Sequence, residues 1–401
     1  MIKIPKGYRN GVREFRDVAS FDRLADRVIL SRTTAYVRDR LEDVLSPDCY
    51  SFRRDGSVTH QTAVEHLQRY RAGFADGSLF VGEFDIKQFV DSISHDVVRR
   101  RWRAVGFDAA ADKVLEAYLA VFSTAEGRGL PQGGSFSTVL ANLVLAAADE
   151  AVSGIQCGNL FYARFCDDVV FVHPEKEKCL RAMAAYSDAI RKLDLPMHPV
   201  EPFVYKPLDG TSTSYYEIKS KGPFRWRRAM PGEANCAPWL GFLGSQICFD
   251  GETRIRKESI EKHVRALGRE TARAVREIQS GATGPSRAID AAAWFSRFRN
   301  RLIAKGVGYV TAKVWDRRTC WAGAFSNVTA CADTKMQMRR LDRVREGMLN
   351  KVWRMLTERF KAGHHRYKGK PFSYHGFLEK AVRPTNMAHR RKAIALPYSE
   401  L

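Results

Sequence analysis

Two adjacent aspartates, Asp167 and Asp168, interrupt an otherwise apolar stretch running from Leu160 to His173. The flanking runs are short and rich in β-branched and aromatic residues, so the segment reads as a β-hairpin with the acids at its turn. Roughly 80 residues upstream, Leu79-Phe80-Val81-Gly82-Glu83-Phe84-Asp85-Ile86 is another strand-like run, with Asp85 near its end. Carboxylates brought together in apolar surroundings raise one another's pKa until one is neutralised, unless a divalent cation lies between them. Mg²⁺ takes oxygen ligands and is commonly held by one or two carboxylates plus substrate phosphates. The bland alternative is a solvated Asp-Asp turn.

The charge balance points to a polyanionic partner. The 401 residues include 66 Lys+Arg against 45 Asp+Glu, a net charge of +21. Nucleic acid is the leading candidate, and an anionic membrane is the alternative. No run of about 18 apolar residues stands out, so neither a spanning helix nor a membrane partner is expected. The N-terminus lacks the apolar core of a signal peptide. The eight cysteines are scattered without a Cys-x-x-Cys pair, which argues against a zinc module and fits free thiols in a reducing cytoplasm.

Periodicity predicts helices over 21–45, 96–122, 137–152 and 176–193, with a glycine-rich loop at 127–134. Trp239–Phe249 reads as a strand or hairpin. After roughly residue 255 helices dominate, over 257–279, 288–305 and 336–360. From Arg339 the chain is strongly basic, and Arg339, Arg340, Arg343, Arg345, Lys351 and Arg354 recur on one predicted helix. Such cations give salt-dependent affinity for phosphates. The boundaries that follow are 1–250 and 251–401.

Taken together, the segments carry a family resemblance. Phe84-Asp85-Ile86-Lys87-Gln88-Phe89-Val90-Asp91-Ser92-Ile93 resembles motif A of bacterial reverse transcriptases of the group II intron and retron kind. Gly129-Leu130-Pro131-Gln132-Gly133-Gly134-Ser135, followed by Leu140-Ala141-Asn142-Leu143, resembles motif B. Ala163-Arg164-Phe165-Cys166-Asp167-Asp168-Val169 resembles motif C, with Phe and Cys where Tyr and Ala are usual. Trp239-Leu240-Gly241-Phe242-Leu243-Gly244 resembles the primer grip of motif E, and Tyr50-Ser51-Phe52-Arg53-Arg54 resembles the fingers segment before motif A. The order and spacings fit over about residues 5–265.

The resemblance implies an α+β right-hand polymerase fold, with fingers and an antiparallel palm sheet in 1–250 and a basic helical thumb in 251–401. It implies two Mg²⁺ ions, with Mn²⁺ as a substitute, on Asp85, Asp167, Asp168 and the Ile86 carbonyl. Arg53, Phe89, Val90, Gln132 and Gly133 would bind the nucleotide, with Arg53 clamping the triphosphate. Phe242, Leu243 and Gly244 would support the primer end. Arg254, Arg256, Arg339, Arg340, Arg343 and Lys351 would bind nucleic acid. Valine at 90 replaces the larger aromatic that excludes a 2′-hydroxyl, which implies looser sugar discrimination unless Phe89 fills the gap. A motif D lysine is not evident, and His198 or Lys206 is the candidate to replace it as general acid.

The function so implied is an RNA-directed DNA polymerase that copies a dedicated structured non-coding RNA into cDNA from dNTPs, in a bacterial cytoplasm. The compact build resembles the stand-alone, defence-associated "unknown group" enzymes, and most specifically their second defence type. The alternatives are a retron-type enzyme, a maturase-like RNA-binding protein without catalysis, and untemplated or protein-primed polymerisation.

Overall fold

The computed structural model describes residues 2–9, 12–18, 21, 23–55, 58–74, 77–121, 127–132, 134–203, 220–228, 236–280, 288–307, 309–310, 315–316, 328–360 and 373–374. The chain divides into two compact units between Pro238 and Trp239.

The N-terminal unit begins with an antiparallel pair, β1 (Ile2–Arg9) and β2 (Val12–Val18), followed by α1 (Leu24–Leu41) and α2 (His60–Ala72). Its main sheet takes strands from distant parts of the sequence. These are β3 (Leu79–Phe84), β4 (Phe161–Phe165), β5 (Asp168–His173), β6 (Val200–Glu201), β7 (Ser220–Trp226) and β8 (Cys236–Ala237). The spatial order is β4-β5-β3-β7-β6, with β8 also pairing β7. β5 lies between two neighbours, and Val169–His173 are all buried, so its sequence is a continuous apolar run rather than an alternating one.

Between β3 and β4 come the one-turn α3 (Phe89–Ser92), α4 (His95–Val105), α5 (Ala109–Val121) and α6 (Ser135–Ser153); α7 (Lys176–Lys192) follows β5. The single helix expected over 96–122 is two. Gly106 adopts φ 74° at the end of α4, a left-handed cap that glycine tolerates, and Asp108 then accepts a hydrogen bond from Ala111 N at 2.8 Å to start α5. α6 is apolar nearly all round. By length and composition it would serve as a membrane span, contrary to the sequence reading, but 72% of its apolar window is buried inside the protein. A Cβ at Gly82 of β3 would overlap the Met183 side chain of α7, so glycine there permits the close approach of helix and strand. Phe84, Tyr162, Phe171 and Tyr186 form one aromatic cluster behind the strands, with Phe84 and Tyr186 stacked at 5.8 Å.

The C-terminal unit holds a second sheet, β9 (Trp239–Phe242), β10 (Ser245–Cys248) and β11 (Thr253–Ile255), in the order β11-β10-β9. The boundary expected at 250 therefore falls inside this sheet. Three helices follow: α8 (Lys257–Ser280), α9 (Ala288–Val307) and α10 (Ala332–Phe360). Their core includes Leu267, Ile278, Trp294, Phe298, Val352 and Leu356.

Tyr374 plugs into this unit with no exposed surface. Its backbone N–H donates to Asp342 Oδ1 at 2.8 Å, and its hydroxyl shares a 2.8 Å hydrogen bond with His263 Nε2. Burial pushes His263 down to about 4 from its ordinary 6.5. The unfolded chain then binds more protons than the folded one between these values, so stability rises with pH through that window. Lowering the pH from 6.5 towards 4 should remove about 3 kcal/mol from this unit. Unfolding followed by tryptophan fluorescence across that range should show the slope, and His263→Gln should flatten it; an unchanged slope would show that His263 does not titrate there.

Candidate active site

The acids are assembled by strand register. β3 and β5 are antiparallel, with Glu83 opposite Val170 and Phe84 opposite Val169. Asp85 follows directly after the last paired residue of β3, and Asp168 directly precedes Val169 on β5, so carrying the register one residue forward sets the two aspartates opposite each other. β4 and β5 are joined by a two-residue turn, Cys166-Asp167, because Phe165 pairs with Asp168. Asp85 and Asp167 are partly exposed and Asp168 is exposed. The Asp85 N–H donates to Ser220 Oγ at 3.1 Å, and its carbonyl accepts from His198 N at 3.0 Å. Lys87 N donates to Pro196 O at 2.7 Å, so this bridge uses the groups on either side of Ile86. Strand alternation turns the Ile86 carbonyl to the opposite edge, the side of β5. His198 Nε2 lies 3.4 Å from Asp85 Oδ2; Lys206 lies outside the described residues.

The turn is strained and strongly supported. Cys166 has φ 56°, a region a non-glycine residue enters at a cost of about 1–2 kcal/mol. Burial first, then the charge of Asp167, pushes the Cys166 thiol up to about 12, so it is no nucleophile. Directly behind it lies Arg164, with a fully buried side chain. Its Nε and Nη2 form a fork on Asp149 of α6, at 2.7 and 2.6 Å. Nη1 donates to Asn142 Oδ1 at 3.1 Å and to the Cys166 carbonyl at 3.2 Å, and Nη2 also meets Cys49 Sγ at 3.2 Å. Burial, then Asp149, push the Tyr162 phenol well above its ordinary value, so it stays protonated and donates to Asp149 Oδ1 at 2.6 Å. Asn142 is in turn tied to Ser51, through Ser51 Oγ at 2.8 Å and Ser51 O at 2.6 Å. The sequence reading missed Asp149 and gave Arg164 no role.

The glycine-rich loop is strapped beside motif A. Leu130 N donates to Val90 O at 2.9 Å, and His95 Nε2 donates to Gly129 O at 2.8 Å. At Gly129, with φ 92°, an added Cβ would lie 3.4 Å from the Asp91 carbonyl oxygen. Gln132 Nε2 stands 3.4 Å from both Asp91 carboxylate oxygens. Gly133 lies outside the described residues.

Two residues expected at the nucleotide are held by the protein itself. Phe89 is only 5% exposed and belongs to the hydrophobic core, and Val90, partly exposed, packs against that same core. Arg53 is not free to clamp a triphosphate. Its Nε donates to Glu42 at 2.9 Å and its Nη1 to Ser46 O at 2.6 Å and Cys49 O at 3.3 Å, with the side chain 11% exposed. Its neighbour Arg54 is 65% exposed, with a long 3.8 Å contact to Asp39.

In the C-terminal unit, Phe242, Leu243 and Gly244 form the β9–β10 turn. Leu243 (φ 47°) and Gly244 (φ 82°) both take positive φ, as a two-residue turn of type I′ requires, and Phe242 is buried. Arg254, expected at nucleic acid, stacks 4.0 Å over Trp239, donates to Gln246 at 2.9 Å and pairs with Asp333. Arg256 lies 3.7 Å from Glu258. Arg339, Arg340, Arg343 and Lys351 are exposed on α10, as is Arg354, whereas Arg345 is buried beneath Tyr374. A further stripe went unread. Lys262, Arg265, Arg269, Arg273 and Arg276 are all exposed on α8, and their spacing places them along one helix face. Among the described residues only Arg273 of these forms an ion pair, with Glu277 at 2.9 Å.

Among the described residues, no three His, Cys, Asp or Glu side chains close into a metal cage. A cage is not what Mg²⁺ needs at such a site, where waters and phosphate oxygens complete the shell. Three carboxylates at adjacent strand ends, all reached by solvent, with a carbonyl on the same side, are hard oxygen donors that fit it.

Residues 20–200 match the family model for reverse transcriptase (RNA-dependent DNA polymerase). No curated protein matches the sequence. Among solved structures, telomerase from Candida albicans in complex with the TWJ fragment of telomeric RNA aligns with TM-score 0.40 and 11% identity, covering 89% of this chain and 57% of that one. Apo telomerase from Candida tropicalis aligns with TM-score 0.42 and 10% identity, covering 94% and 60%. The chain thus spans little more than half the length of these proteins. Its fold is the α+β right-hand polymerase fold, and its matched domain is that of an RNA-directed DNA polymerase, a nucleotidyltransferase.

Proposed function

We propose that this chain, through its reverse transcriptase domain, copies a dedicated structured non-coding RNA into cDNA in a bacterial cytoplasm, as part of antiphage defence. The observation that carries the polymerase reading is the pairing of Phe84 with Val169, the residues next to Asp85 and Asp168, with Asp167 at the adjoining turn. Asp85, Asp167, Asp168 and the Ile86 carbonyl would hold two Mg²⁺ ions, or Mn²⁺ in their place. Bound there, the ions would activate a primer 3′-hydroxyl and stabilise the leaving pyrophosphate. The aromatic cluster behind β3 and β5 keeps the acid-bearing ends rigid. Gln132 and Val90, strapped together through the Leu130–Val90 bond, face the incoming dNTP, and with valine at the sugar position some ribonucleotide would be accepted. The exposed cations of α8 and α10 grip phosphates without reading bases. The motif order supports the dedicated template and the defence role.

The test is to purify the protein from cells carrying its native locus, with and without Asp167→Ala/Asp168→Ala, and to sequence the bound RNA and DNA. One specific RNA accompanied by complementary DNA, with the DNA missing from the variant, is the expected result. The same RNA without DNA in either sample, before and after phage infection, would replace the polymerase reading with the RNA-binding one. Supplying the wild type with NTPs in place of dNTPs tests the Val90 reading, which complete refusal would remove.

A further inference from the structure

We propose that Arg164, clamped by Asp149, is a positioning residue for the metal-binding turn: it fixes the Cys166 carbonyl and, through it, the direction of Asp167 and Asp168. The inference rests on the metal role proposed above for those two aspartates, and names residues that act behind them.

Three observations carry it. First, Cys166 sits at φ 56° in the first position of a two-residue hairpin turn, where glycine is the residue that fits. A strained residue persists when its surroundings over-determine it, and such strain gathers at functional sites. Second, every one of the five N–H groups of Arg164 has an acceptor, and one of those acceptors is the Cys166 carbonyl. The guanidinium is therefore a rigid part whose position Asp149 dictates. A lysine could carry the charge but not the fork. Third, the parts it joins are distant in sequence. Asn142 and Asp149 lie seven residues apart on one face of α6. Tyr162 comes from β4, and Cys49 and Ser51 from the segment before α2. The Arg164 backbone is held too, donating to Asp48 O at 2.9 Å and accepting from Tyr50 N at 2.8 Å. A buried ion pair is a poor way to gain stability alone, since apolar residues of similar size often serve as well. What this pair adds is a fixed direction for the peptide entering Asp167.

The experiment measures Mn²⁺ binding to the purified protein by electron paramagnetic resonance, without nucleotide, so that it does not depend on turnover. Wild type and Asp167→Ala/Asp168→Ala come first. Loss of binding in the latter ties the signal to the turn; indifference would overturn the metal reading, and this inference with it. The decisive variant is Arg164→Met/Asp149→Leu, which removes both charges and keeps the volume. It is expected to keep a cooperative thermal transition and to weaken Mn²⁺ binding on the order of tenfold or more, as loss of outer-shell support does elsewhere. Adding Cys166→Gly, which relieves the positive φ, should restore part of that affinity; a general packing defect would not respond to it. Wild-type Mn²⁺ affinity in a folded Arg164→Met/Asp149→Leu protein would overturn the proposal. Should that pair fail to fold, Arg164→Lys decides on the same readout, with unchanged affinity again counting against the role.

Discussion

Asp167→Ala/Asp168→Ala is expected to abolish primer extension on an RNA template while leaving RNA binding intact. Both ions of the proposed reaction depend on these carboxylates, and a metal that stabilises transition-state charge contributes several kcal/mol. Removing it should lower the rate by roughly a thousandfold or more, about 4 kcal/mol. The fold should survive. Asp168 is exposed and Asp167 partly so, hence neither substitution opens a cavity in the core. The cations that would hold the RNA lie elsewhere, on α8 and α10. Extension assays with radiolabelled dNTPs, paired with RNA gel shifts at matched salt, check both halves. Extension above about one per cent of wild type would be incompatible with the thousandfold loss and would place the chemistry elsewhere. Loss of RNA binding as well would mean that the turn, rather than the helices, carries the RNA. Asp85→Asn should repeat the catalytic loss from the other strand.

The parts legible in the sequence were those written in short-range pattern. Apolar runs bounded by turns gave β3, β4 and β5, and the acids marked their ends. The amphipathic spacing of 257–279 gave α8 to within a residue. What pattern does not encode is which partner a polar group finds. Arg53 and Arg254 read as free cations, but folding delivers Glu42 to one and Trp239 with Asp333 to the other. Phe89 and Val90 are adjacent, and only the fold decides that Phe89 is buried while Val90 keeps part of its surface. Asp149 sits at the end of an apolar helix with nothing local to mark it, and its cation lies on a strand. The α8 stripe was visible in principle from its spacing, but a helix with a strong apolar face reads first as core.

The Arg164–Asp149 pair should also dominate the stability of the N-terminal unit. Asp149 is 1% exposed and Arg164 fully buried. Arg164→Met alone leaves the carboxylate with the Tyr162 hydroxyl but no cation, and breaking a buried pair from one side typically costs about 3–5 kcal/mol. For a unit of this size that is a fall in Tm of roughly 10–15 °C. Asp149→Leu should be worse. A stranded carboxylate can shed its charge by binding a proton, whereas a guanidinium cannot deprotonate. The gap between the two variants should therefore widen as the pH is lowered, because acid relieves Arg164→Met and does nothing for Asp149→Leu. Arg164→Met/Asp149→Leu should recover most of the loss, so the two single effects will not add. Thermal melts of the three variants at pH 5 and pH 8 test this. An Arg164→Met protein within about 1 kcal/mol of wild type would mean that water reaches Asp149 once the guanidinium is gone. The pocket would then be held by its other hydrogen bonds, from Tyr162 and Asn142, rather than by charge.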